Sequence, residues 1–249
     1  MNDSQDGRGP APAKKSFFRE NAPLLCGMAL TAAGVTAAGL IFHQSFFRIL
    51  PLYVSLTVAL LQSRMIRYAS LIGGINSILY AVVYAGYHLY GSAVYALLFS
   101  CPVQLVTFIL WRRKPWGKST VFRKMTARQR IVTAAAFAAA YAALQVVLYF
   151  TGGEYALLDG AITLLGVLTA FLTMLAYMEY AALMVVGNLL SIALYIAMLP
   201  AHPEQTTYLI FTVYSLVCCS AACFRLVRLY AEQQRARSDP GTGSGEGRS

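Results

Sequence analysis

Charge is what this chain has least of: 12% of its 249 residues are charged, against about a quarter in an average soluble domain. With 58% apolar residues alongside, that scarcity excludes an ordinary water-soluble globule and points to an integral membrane protein. Cysteine is sparse as well. Cys26, Cys101, Cys218, Cys219 and Cys223 all fall in apolar stretches and no Cys-x-x-Cys occurs, so no disulfide framework is expected and the thiols read as structural. The three histidines, His43, His88 and His202, are spread one to an outer loop. No HExxH, GxSxG or complete GxxxxGK(S/T) signature is present, since Gly117–Lys118–Ser119 has Arg112 where the phosphate loop needs its first glycine; this leaves no metalloprotease site, nucleophile elbow or phosphate loop. The sequence thus predicts no catalytic residue, no metal, no cofactor and no ATP-driven step of its own. Strand-like alternation is also missing, which excludes an outer-membrane barrel.

What is present is a set of long apolar runs. A bilayer core of about 30 Å needs about 20 apolar residues per helix, and eight segments qualify: 23–43, 47–63, 67–87, 90–111, 131–151, 156–178, 180–200 and 206–226. The first reads as a retained span, too long for a cleaved signal. The fold expected is an all-α membrane protein of eight transmembrane helices, built as two parallel three-helix repeats, a linker helix and an extra N-terminal helix. Its divisions are a disordered lead (1–20), the N-terminal helix (21–45), repeat 1 (46–111), a basic loop (112–130), the linker helix (131–151), repeat 2 (152–230) and a disordered tail (231–249). Three crossings reverse the chain, so the single crossing at 131–151 brings the second trio in the same way up as the first.

The formal charge of +10 would suit nucleic acid, but its distribution does not. Eight of the twenty Lys and Arg lie in 112–130, and most of the rest sit near the two ends. An even number of crossings places all three groups on one side, as the positive-inside rule requires. The expected partners are therefore the bilayer and a small solute, with no nucleic acid; a homo-oligomer stays open. Both termini are expected in the cytoplasm of a bacterium, with the chain passing many times through its plasma membrane.

Polar groups inside such a bundle are costly unless they face protein or water, so each is a site hypothesis. Asn76 and Asn188 lie well inside their helices, 112 residues apart, and superpose the two trios without a gap. Amides in membrane bundles also bond neighbouring helices for about 1 kcal/mol, the plainer role for both. Gln104 follows Pro102, which removes a backbone donor and kinks helices, so the amide sits where a solute could reach it. Asp159 lies one turn into the sixth span, where a helix-start charge is the competing explanation. Glu179, at the hinge before the seventh span, reads as a capping carboxylate paired to Arg64 or Arg67. Tyr80, Tyr84, Tyr87 and Tyr90 share one face if their helix continues; the last two suit an interfacial belt, whereas Tyr80 and Tyr84, if turned inward, offer rings for stacking.

The runs IGGINSILYA (72–81), HLYGSAVYALLF (88–99), CPVQLVTFILW (101–111), WGKSTVFRKMTARQR (116–130), TGGEYALLDGAITLLGVL (151–168) and MEYAALMVVGNLLSIALY (178–195) resemble the PnuC nicotinamide riboside transporters, in order and spacing, over about 47–230. This resemblance implies a SWEET-like pair of three-helix bundles and facilitated diffusion of a pyridine nucleoside, trapped inside by a separate kinase on its way to NAD biosynthesis. It also implies that Asn76, Gln104, Asp159, Thr163 and Asn188 line or support the solute path, with Tyr80 added for stacking. Leu175, Ala176, Tyr180 and Ala181 around Glu179, and Ala96 in the fourth span, depart from the family pattern. They keep open thiamine or riboflavin as the solute, or a vitamin-capture subunit dependent on a separate ATPase module.

Overall fold

The computed structural model describes residues 17–86, 90–151 and 155–238. Among them, eight helical segments are long and apolar enough to cross a membrane. In chain order they are α1 (Phe17–Ile41), α2 (Phe46–Ser63), α3 (Tyr68–Gly86), an interrupted span of α4 (Tyr90–Tyr95), a π-helical turn (Ala96–Ser100) and α5 (Cys101–Arg113), then α6 (Ala127–Thr151), α7 (Ala156–Met174), α8 (Glu179–Met198) and α9 (Thr206–Ser238).

Helix packing defines a ring. Going round it, α2 packs on α3, α3 on α5, α5 on α7, α7 on α8, α8 on α9, and α9 back on α2. α1 lies outside against α9 and α2, and α6 lies outside against α7. The membrane stretch of α6 has no buried residue, which explains why a run of alanines suffices there. Outward-facing apolar side chains such as Leu30, Val82, Ile131, Phe150 and Phe224 stay exposed, as a lipid environment demands.

α2 and α7 end alike. Ile66 N–H donates to Leu61 C=O and Met65 N–H to Gln62 C=O; Tyr177 N–H donates to Leu172 C=O and Ala176 N–H to Thr173 C=O. Both sets are Schellman motifs, and each puts a non-glycine residue in the left-handed region, Met65 at φ 54° and Ala176 at φ 57°.

The basic loop is folded against one end of the ring. A two-residue turn, Gly117–Lys118, joins strands β1 (Pro115–Trp116) and β2 (Ser119–Thr120). Gly117 takes φ +55°, the reason a glycine serves there. Phe122, 1% exposed, inserts beside Trp111 and Tyr180, with ring centroids 5.5 and 6.4 Å away. Arg123 N–H donates to Ala176 C=O and Met178 N–H to Arg123 C=O, so the loop pairs with the α7–α8 turn.

Three expectations change. Residues 17–20 belong to α1 rather than to a disordered lead, and 231–238 belong to α9 rather than to a tail. At about 1.5 Å per residue the 33 residues of α9 reach about 50 Å, well beyond a 30 Å core. Its projecting end is held by Gln233, 1% exposed, which accepts from Phe122 N–H at 2.9 Å and donates to Thr120 C=O at 2.9 Å. Glu179 pairs with Arg130 at 2.8 Å and accepts from Met125 N–H, not with Arg64 or Arg67, because the loop delivers Arg130 to the α8 N-terminus. Residues 1–16, Tyr87, His88, Gly152, Gly153 and 239–249 lie outside the described residues.

Candidate functional site

Inside the ring lies a cavity of about 390 Å³, within the size range of small-molecule sites. Two polar strings from the second, third and fourth spans line one side. On the first, Asn76, 6% exposed, donates through Nδ2 to Ser55 Oγ at 2.8 Å, and Ser55 Oγ lies 3.4 Å from Tyr80 OH. Asn76 Oδ1 is buried with no protein partner. On the second, Ser77 and Ser100 share a 2.9 Å hydroxyl contact, and Gln104 Nε2 donates to Ser77 Oγ at 3.2 Å. A Cβ built on Gly73 would collide with Gln104 Oε1, so the glycine is what lets the amide lie flat on α3.

The π turn places Ser100. Pro102 has no N–H, and its ring would crowd the carbonyl one turn back; the chain widens just before it, Cys101 N–H reaching Ala96 C=O. The kink expected from Pro102 takes this form.

The opposite wall is plainer: Gly166, Thr169, Ala170 and Thr173 from α7, Met184 from α8, and Phe211 and Ser215 from α9. Rings complete it. Tyr95 stacks on Phe99 at 5.2 Å, and Phe99 meets Phe171 edge-on at 5.9 Å. No residue lining the cavity is charged. One turn beyond Thr107, Trp111 donates from Nε1 to Thr173 C=O at 2.9 Å. With Phe122 and Tyr180 it closes the basic end, and Tyr180 OH donates to Met65 Sδ at 3.0 Å. Toward the other end Tyr80 stacks on Tyr84 at 5.7 Å and Tyr195 leans on Tyr208 at 6.1 Å.

Of the residues the sequence singles out, the structure brings Asn76, Tyr80 and Gln104 to the cavity. Asp159 and Thr163 are exposed and do not line it. Helical spacing continues the α7 stripe from Ala170 and Gly166 outward to Thr163 and then near Asp159, which lies within electrostatic reach of Tyr195. Asn188 is not in the lining either: Nδ2 donates to Met184 C=O at 2.8 Å and to Cys219 Sγ at 3.5 Å, joining α8 to α9. Met65 and Ala176, the left-handed residues that end α2 and α7, are 111 apart; aligned on them, Asn76 falls opposite Gly187 and Asn188 opposite Ser77. Sequence reasoning missed Ser55, Ser77, Ser100, Tyr95 and Phe99; the one signal for Ser100 is its place two residues before Pro102.

The profile of the family described as nicotinamide mononucleotide transporter matches residues 45–225, which runs from the start of α2 to a point within α9. The chain belongs to that family. Among curated relatives, the nicotinamide riboside transporter PnuC of Neisseria mucosa is 31% identical over 131 residues, covering 50% of each chain. The chain thus matches about half the length of that relative. The crystal structure of the vitamin B3 transporter PnuC superposes with a TM-score of 0.68 at 23% identity, covering 87% of this chain and 93% of that one. This second likeness supports the helical fold, and the transporter family membership rests on the profile.

Proposed function

We propose that this member of the nicotinamide mononucleotide transporter family carries nicotinamide riboside across the bacterial plasma membrane by facilitated diffusion. The observation that carries the reading is the uncharged cavity in which amides and hydroxyls face aromatic rings. A pyridinium nucleoside is a cation with a hydroxyl-rich sugar. Ring faces hold such a cation for about 0.5–2 kcal/mol, and the orphaned Asn76 Oδ1 takes a ribose or carboxamide donor. The mononucleotide adds a phosphate to the same nucleoside, and removing that charge from water with no cationic side chain in the lining costs several kcal/mol. The riboside named for the Neisseria relative agrees with this preference. Nothing in the family match favours a capture subunit that depends on a separate ATPase module.

Under this reading Asn76, Tyr80 and Gln104 contact the solute, Asp159 and Thr163 mark its approach along α7, and Asn188 supports the wall by holding α8 to α9. The trios α2–α5 and α7–α9 act as like-oriented halves that rock about the site. The basic end, with the 112–130 segment and the projecting α9, faces the cytoplasm, where its charge meets anionic lipid. Equilibrium binding of labelled nicotinamide riboside to the purified protein in neutral detergent tests the substrate: it is expected to saturate a single site, with the mononucleotide displacing it at least tenfold less well than unlabelled riboside. Equal or better displacement by the mononucleotide would overturn it.

A further inference from the structure

A second cavity, about 430 Å³, lies at the basic end of the bundle and outside the ring's central site. Three separate pieces of chain wall it: the α2–α3 turn gives Arg64, the hairpin gives Trp116, Lys118 and Ser119, and α9 gives Arg225, Arg228 and Glu232. Among the described residues that line it, four are cations and one is a carboxylate. The arrangement is fixed by backbone, not by loose side chains alone. Arg67 N–H donates to Lys118 C=O at 3.1 Å, pinning the hairpin tip to the α2–α3 turn. Arg225 Nη1 donates to Ser63 C=O at 3.1 Å, pinning α9 to the end of α2. At the base of the cavity, Ser119 is 5% exposed and its hydroxyl has no protein partner. A buried hydroxyl that bonds nothing costs about 1–3 kcal/mol, so its survival in a polar, cation-walled pocket points to an occupant that accepts its proton. Guanidinium groups suit phosphate oxygens because their donors fork to match them.

We infer that this cavity is a phosphate-binding site, in which Arg64, Lys118, Arg225 and Arg228 hold the oxyanion and the Ser119 hydroxyl donates to it. The phosphate belongs either to a soluble phosphoester or to the headgroup of an anionic lipid at the membrane surface. Since the hairpin, the α2–α3 turn and α9 all contribute, an occupant bridges the parts that cover the Trp111–Phe122–Tyr180 floor of the central cavity and holds that end shut. This site is separate from the riboside cavity and its test does not use the riboside.

Calorimetry on the purified full chain in neutral detergent, with inorganic pyrophosphate as probe, is expected to show saturable one-to-one binding. The double substitution K118Q/R228Q should weaken it at least tenfold and Ser119→Ala three- to tenfold, while Arg128→Gln, exposed at the start of α6 and outside the cavity, leaves it unchanged. Should the double variant fail to fold, judged by its unfolding temperature without pyrophosphate, Ser119→Ala decides. In nanodiscs of phosphatidylcholine alone or doped with phosphatidylglycerol, loss of pyrophosphate binding on doping assigns the site to a lipid headgroup, and retained binding assigns it to a soluble phosphoester; both uphold the site. Absence of saturable binding, or equal weakening by Arg128→Gln, overturns it.

Discussion

Asn76→Ala separates a ligand-contacting amide from a helix-packing one. The wild-type side chain makes one hydrogen bond, to Ser55, and leaves Oδ1 buried and unpaired. Losing the Ser55 bond costs about 1 kcal/mol, whereas removing the orphaned acceptor relieves about 1–3 kcal/mol in the empty protein. The net expectation is an empty protein no less stable than wild type, by up to about 2 kcal/mol more stable. Binding moves the other way. A solute donor that would have satisfied Oδ1 now finds nothing, and losing about 1.4 kcal/mol raises the dissociation constant about tenfold. Ser55→Ala is the companion: it removes the Nδ2 partner, keeps Oδ1 and should lower stability while costing the solute less. Unfolding temperature without solute, and riboside affinity by equilibrium binding, are both measured on each variant. A drop in stability with unchanged affinity would refute the reasoning and return Asn76 to a packing role.

Gly73→Ala is expected to push the flexible Gln104 amide off α3, costing at most about 1 kcal/mol of stability because the side chain can swing away, but lowering uptake, read by thermal unfolding and by transport on the same preparation. Ala176→Gly relieves a left-handed residue and should stabilise by about 1 kcal/mol in thermal unfolding, with transport unchanged. Phe122→Ala empties the space between Trp111 and Tyr180; a loss of about 3–5 kcal/mol and release of the 114–126 segment to limited proteolysis are expected. Glu179→Gln keeps the acceptor for Met125 N–H but cancels the charge facing half-exposed Arg130, so less than about 1 kcal/mol should be lost in denaturation.

Much of this architecture is legible in the sequence because lipid enforces it: a span must be long, apolar and internally hydrogen-bonded, and eight such runs are visible by inspection. Amides deep in apolar helices are legible for the same reason, and two of the three proposed, Asn76 and Gln104, reach the cavity. Serines and threonines are not. Thr31 and Thr212, which lie away from the central cavity, bond the backbone carbonyl one turn back as hydroxyls on any membrane helix do, and nothing in composition separates them from Ser55 or Ser100. Which face of α8 Asn188 occupies is not legible, because that depends on its bonds to Met184 C=O and Cys219 Sγ. The folding of the basic segment was hidden too, because it depends on Gln233, more than 110 residues away, meeting Phe122 and Thr120.

The central claim is transport of a neutral-cavity substrate, and uptake into proteoliposomes containing only this protein measures it. The account predicts saturable entry of labelled nicotinamide riboside without ATP, halted at equal concentrations inside and out, competed by unlabelled riboside and barely by the mononucleotide. Uptake that needs ATP or a second protein, or entry of the mononucleotide as fast as the riboside, would contradict it.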